Sequence, residues 1–144
     1  MEPIIDHLNV AVSDFARSKA FYTAALAPLG IEVLMDFGDA CGLGRGKKPE
    51  LWLGSKIASF QSAENRAIIT PQHVALRARS REEVDAFHAA AIAAGGKDFG
   101  APGVRAHYHP GYYGAFVLDP DGHNVEAVFH GPALVSARRA GLSC

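Results

Sequence analysis

From Ile4 to Val12 apolar and polar positions alternate, with Leu8, Val10 and Val12 on one face and His7, Asn9 and Ala11 on the other. A period of two marks a strand with two unlike faces. The alternation returns later, where Val74, Leu76 and Ala78 oppose His73, Ala75 and Arg77. Each strand leads into a helical pattern. The first helix opens at Ser13-Asp14, a natural N-cap, and runs to about Leu29. The second opens at Ser80, with Glu83 three residues on forming a capping box, and ends at Gly95-Gly96, where a positive φ is expected. Short strands follow at 31–36, 40–45 and 50–54 in the first half, and at 97–99, 113–118 and 123–130 in the second. Asp119-Pro120-Asp121-Gly122 reads as a tight turn between the last two. The stretch from Gly100 to Gly111 reads as a long functional loop or lid.

The two halves are a repeat. His7 to Gly30 superimposes without a gap on His73 to Gly96, a shift of 66 residues. The matches His7/His73, Phe21/Phe87 and Gly30/Gly96 carry the weight, because alanine matches are cheap in an alanine-rich chain. The expected fold class is therefore α+β. Two tandem βαβββ modules form a mixed β-sheet cup, with the helices on the outside. Module one spans about 4–54, a linker 55–71, module two about 72–130 and a tail 131–144, all within one domain. If both helices cover one face of the sheet, the other face is free to form a concavity. That face carries His7 and His73.

Composition narrows the options. The chain has 144 residues, is 49% hydrophobic, and carries a formal net charge of −1 from 14 basic and 15 acidic side chains. That suits a packed core. No basic stripe invites nucleic acid, and no apolar run is long enough to span a bilayer. The start of the chain lacks the layout of a signal peptide, and Cys41 and Cys144 have no CxxC spacing, so a cytoplasmic protein with reduced thiols is expected.

In the last strand Val125, Ala127 and Phe129 share one face, and Glu126, Val128 and His130 the other. A carboxylate in an apolar strand is costly unless it is paired or bound to a metal. His7, His73 and Glu126 would make a set of two histidines and one carboxylate, which leaves positions open on the ion, as in non-haem Fe(II) oxygenases. The competing reading is an ion pair between Glu126 and Arg77, with both histidines structural. Arg77 is equally a clamp for an anionic substrate group. His107, Tyr108, His109, Tyr112 and Tyr113 form an aromatic, proton-capable cluster. From it His109 and Tyr113 are the candidates for acid–base chemistry, and Tyr108 and Tyr112 for substrate contact. Trp52 is the expected pocket wall.

These residues carry a resemblance. Asp6-His7-Leu8, Phe21-Tyr22 and Leu29-Gly30 look like the opening of a vicinal oxygen chelate module, and the run from Tyr112 to Glu126 looks like its closing hairpin. The chain thus resembles the glyoxalase, bleomycin-resistance and extradiol dioxygenase superfamily over Ile4 to His130. The resemblance implies a metal-dependent lyase, isomerase or dioxygenase. One divalent ion (Fe, Mn, Ni or Zn), held by His7, His73 and Glu126, would chelate vicinal oxygens of a small-molecule substrate. A homodimer is expected by the same analogy. At the fourth ligand position this chain has Trp52, which cannot bind a metal. Glu50 lies on the same face, but about 6.5 Å away along a strand, too far for a simple replacement. A metal-free drug-binding protein of the bleomycin-resistance type is the alternative. Such members generally lack the His/His/Glu set. A degenerate structural or interaction module is a third reading, ranked below both.

Overall fold

A computed structural model describes residues 3–56, 59–62 and 69–131. Module one holds β1 (Leu8–Ala11), α1 (Phe15–Leu26) with a 3-10 turn at Ala27–Leu29, β2 (Glu32–Asp36), β3 (Ala40–Gly44) and β4 (Leu51–Gly54). Module two repeats the order with β5 (His73–Arg77), α2 (Arg81–Ala93), β6 (Lys97–Val104), β7 (Tyr113–Leu118) and β8 (Asn124–Phe129). The first strand of each module pairs in parallel with the last, and the other pairings are antiparallel. The eight strands divide into two four-stranded sheets, ordered β1-β4-β3-β2 and β5-β8-β7-β6. The mixed pairing expected of the cup is thus present inside each module, and the modules meet through side chains and helices instead of a shared strand ladder. Parts of the expected linker (57–58 and 63–68) and the tail from residue 132, with Cys144, lie outside the described residues.

The helices start where their caps dictate. The Asp14 carboxylate accepts from the Arg17 N–H at 3.0 Å, and the Ser80 hydroxyl accepts from the Glu83 N–H at 3.1 Å. The reciprocal half of the expected capping box falls one residue early, because Glu83 accepts from the backbone N–H of Arg79 at 2.7 Å. From the caps onward Phe21, Tyr22, Ala25 and Leu26 of α1, and Val84, Phe87 and Ala91 of α2, face the core. There they meet Val10, Val12 and Leu53 of one sheet and Val74, Val117, Val125 and Ala127 of the other. The helices also pack against each other. This fixes the polarity of both sheets: one face to the helices, the other away from them.

Two glycines that match in sequence serve different ends. Gly30 has a φ of 73°, in the left-handed region, and caps the 3-10 turn. Gly96 is a point of close approach, where an added Cβ would sit 2.5 Å from Val117 Cγ1 and 2.8 Å from the Ala91 carbonyl oxygen. The positive φ expected in this pair belongs to Gly95, at 99°.

The modules clasp each other reciprocally. His123 closes the β7–β8 turn and bonds through Nε2 to the Ala11 carbonyl at the end of β1, 2.8 Å away, while its Nδ1 accepts from the Gln72 N–H at 2.9 Å. Arg45, in the β3–β4 turn, donates to the Arg77 carbonyl at the end of β5, at 2.6 Å. Ala11 and Arg77 are the same position of the repeat. The buried Tyr22 hydroxyl adds a bond of 2.6 Å to Asp119, whose other oxygen accepts from the N–H groups of Asp121 and His123 and holds the turn.

Candidate functional site

β8 runs between β5 and β7, so each side chain on its helix-free face has neighbours on both sides. Glu126 sits there, opposite Ala75 on β5 and Phe116 on β7, and is 1% exposed. One carboxylate oxygen lies 2.9 Å from His73 Nε2. The other accepts from the Tyr112 hydroxyl. Gly114 makes that contact possible, since a Cβ there would come within 3.1 Å of the Tyr112 ring and 3.3 Å of the carboxylate. Burial first, and then the carboxylate, pushes the Tyr112 phenol well above the usual tyrosine range. The competing Glu126–Arg77 ion pair is not made among the described residues: Glu126 pairs with His73, and Arg77 gives its backbone carbonyl to Arg45.

His73 faces a cavity of about 330 Å³, whose other walls are Phe99, Arg105, Tyr108, Phe116 and Asn124. Tyr108, expected at the substrate, is among the lining residues. It packs on His107 and on Tyr112, with ring centroids 4.2 and 4.8 Å apart. Arg105, Phe99, Phe116 and Asn124 were not singled out in the sequence. Strand alternation puts Phe116 and Asn124 on the face of Glu126, so that much was within reach. Arg105 was hidden in a stretch read as loop, the first part of which is strand β6. Asn124 Oδ1 is a buried acceptor with no hydrogen-bond partner among the described residues.

Other expected site residues lie elsewhere. Tyr113 is on the helix side of β7: its hydroxyl donates to Asp85 at 2.6 Å, and the Arg81 guanidinium stands 4.8 Å from its ring centroid. Its neighbour Tyr112 is the tyrosine that reaches Glu126. His109 is one ring removed. Its Nδ1 accepts from the Gly111 N–H at 3.1 Å, which leaves the ring hydrogen on Nε2, 3.0 Å from His130 Nδ1. Both imidazoles meet the Tyr112 ring edge-on. Trp52 stacks on Phe37 in the sheet of module one, with ring centroids 5.9 Å apart, and is not among the residues lining the His73 cavity.

His7 stands just before β1, half exposed, with Nδ1 2.7 Å from Asp6. That contact, and then Lys48, hold the Asp6 carboxyl below the ordinary aspartate range. Glu50 lines a surface hollow with Asp6 and Lys48, not with Glu126. Among the described residues no three His, Cys, Asp or Glu side chains are gathered closely enough to hold a metal ion. The donor chemistry at Glu126 nonetheless suits a divalent ion in part. An imidazole nitrogen and a buried carboxylate oxygen are adjacent, and no lysine or arginine among the described residues is paired with the acid.

In a βαβββ pair, an exposed imidazole set against a buried carboxylate beside a small aromatic cavity on the helix-free face is the layout of a cup-shaped ligand site. The chain belongs to the glyoxalase/bleomycin resistance protein/dioxygenase superfamily, whose family model matches residues 4–127. A glyoxalase/bleomycin resistance protein from Albidiferax ferrireducens T118 is similar in structure, at 30% identity and a TM-score of 0.72 over 88% of this chain and 98% of that one. The fold is also shared with lactoylglutathione lyase from Agrobacterium tumefaciens, at 20% identity and a TM-score of 0.63 over 90% of this chain and 95% of that one. It is shared as well with TioX from Micromonospora sp. ML1, at 16% identity and a TM-score of 0.64 over 85% of this chain and 95% of that one. No curated protein sequence matches the chain. Among the described residues no helix is long and apolar enough to cross a membrane.

Proposed function

We propose that this protein is a metal-dependent enzyme acting on a small molecule with vicinal oxygens, and that His73 and Glu126 are two of its metal ligands. The observation that carries the reading is the buried Glu126 carboxylate, 2.9 Å from His73 Nε2 at the edge of an open cavity. A bound divalent ion would supply Lewis acidity toward a substrate oxygen. The chain's own groups do the rest. Tyr112, bonded to the second oxygen of Glu126, orients the carboxylate and is placed to exchange a proton with a bound oxygen. Phe99, Tyr108 and Phe116 supply apolar walls for the substrate. His109, against the Tyr112 ring, is a positioning residue.

His7 is the third donor in this reading, supplied by a second copy of the chain in a homodimer. Its half-exposed side chain supports this, as do the exposed apolar residues around β1: Ile4 and Ile5 at 100% and 68%, and Leu8 at 39%. Surface of that kind favours association. The experiment is a metal analysis of untagged protein, paired with sedimentation. One equivalent of metal per chain in a dimer is expected, lost in both His73→Ala and His7→Ala. Metal retained in His73→Ala would overturn the reading. Retention in His7→Ala alone would overturn the shared ligand.

A metal-free binding protein has one observation in its favour: both Glu126 oxygens already have protein partners. Wild-type protein that takes up no metal but binds small aromatic ligands would decide for it.

A further inference from the structure

Arg105 is held with more care than a surface arginine requires. One terminal nitrogen donates to the Gly103 carbonyl at 2.9 Å and the other to the Ala101 carbonyl at 2.8 Å. The guanidinium carbon stands 5.5 Å from the Phe116 ring centroid. The strand beneath is shaped around it. β6 changes register between Asp98 and Gly100 and again between Gly100 and Gly103. Both glycines clear the space: a Cβ on Gly100 would come within 3.2 Å of Arg105 Nη2, and one on Gly103 within 3.1 Å of Nη1. Bulges re-aim side chains, and glycine in a strand often marks close approach.

What the arrangement lacks is an acid. Among the described residues Arg105 pairs with no carboxylate, and none lines its cavity. The nearby Glu126 has both oxygens engaged by His73 and Tyr112. A guanidinium has five N–H donors, and two are used on backbone carbonyls. Three are left over on a charged group that lines the cavity together with His73, Phe116 and Tyr108, and its backbone bonds hold it in place. A guanidinium with donors to spare matches a carboxylate. The cavity, about 330 Å³, is at the small end for ligand pockets and suits a single ring.

We propose that Arg105 anchors the carboxylate of a small planar substrate, whose ring lies against Phe116 and Tyr108 and whose reacting oxygens reach the His73–Glu126 pair. This takes as its starting point the reading above, that the cavity beside His73 is the substrate site. Arg105 is then a specificity-determining residue.

Benzoate and its neutral isostere benzamide are the probes, titrated into chelator-treated protein and followed by NMR shifts, including the Arg105 side-chain Nε–H. Benzoate should bind at least about tenfold more tightly than benzamide, as expected for a charge-assisted contact. Its affinity should fall with added salt, and Arg105→Gln should abolish the preference. Arg105→Lys, which keeps the charge and loses the fork, should fall between. Equal binding of the two probes, no binding of either, or a preference that survives Arg105→Gln would overturn the proposal. If Arg105→Gln fails to fold, the wild-type comparison still decides. The two readings fail separately. An Arg105-dependent preference in a protein that takes up no metal would sink the metal and keep the anchor. A metal-loaded protein indifferent to the probes' charge would do the reverse.

Discussion

Glu126 has two carboxylate oxygens and one partner for each. Tyr112→Phe would strand one of them in a buried site, at a cost of roughly 1–3 kcal/mol, and urea unfolding would measure it. The phenol also carries a pH signature. Burial and Glu126 raise its pKa in the folded protein, so the native state holds this proton more tightly than the unfolded chain does. The stability it contributes is complete below the ordinary tyrosine value of about 10 and is lost as pH climbs beyond it. Tyr22, buried and bonded to Asp119, acts in the same direction. Stability measured from pH 8 to 11 should fall on the alkaline side, and less steeply in Tyr112→Phe and Tyr22→Phe. A limb unchanged in both would refute the assignment. At this scale alternation put Glu126 on the right face. The cluster from His107 to Tyr113 was weighed as a group, although consecutive residues in a strand point to opposite sides, so Tyr112 and Tyr113 could not both face the acid.

Among the elements, those with local causes were legible. The caps at Asp14 and Ser80 rest on side chains within a few residues, and Tyr113–Leu118 was bounded correctly by its turn residues. β6 was not. Its three glycine and proline positions read as loop, while the chain runs on as a bulged strand to Val104, because β7 supplies partners that no local pattern announces. Gly96 makes the same point. The repeat flagged it, yet the reason is the tertiary contact of α2 with β7. Gly96→Ala would force a methyl against Val117 and against the Ala91 carbonyl, which as backbone cannot swing aside. A loss of about 1–3 kcal/mol in urea unfolding is expected, as for other overpacked core positions. A neutral substitution would mean that α2 and β7 can separate more easily than their packing implies.

For the whole molecule, the 66-residue repeat gave the module order and the two-faced sheets. It also put His7 and His73 at equivalent places. Equivalence is not proximity. His73 meets Glu126 inside module two, because β5 and β8 are adjacent, whereas His7 belongs to the other sheet and turns to Asp6. How two modules are set against each other depends on their surfaces, and periodicity carries no information about that.

The reciprocal clasp has a consequence for the chain's connectivity. Each half offers the carbonyl that ends its first strand to the turn before the other half's last strand, at Ala11 for His123 and at Arg77 for Arg45. A contact made by the same patch in both directions is the isologous contact of a twofold dimer, here enclosed within one polypeptide. The peptide bonds joining the halves raise their effective concentration but add nothing to that geometry. Residues 1–62 and 63–144, produced as separate chains in one cell, should therefore find each other and co-purify. Replacing His123 with alanine should weaken that pairing far more than it weakens the uncut protein. What now looks like an internal repeat would then behave as a pair of subunits whose ends happen to be tied.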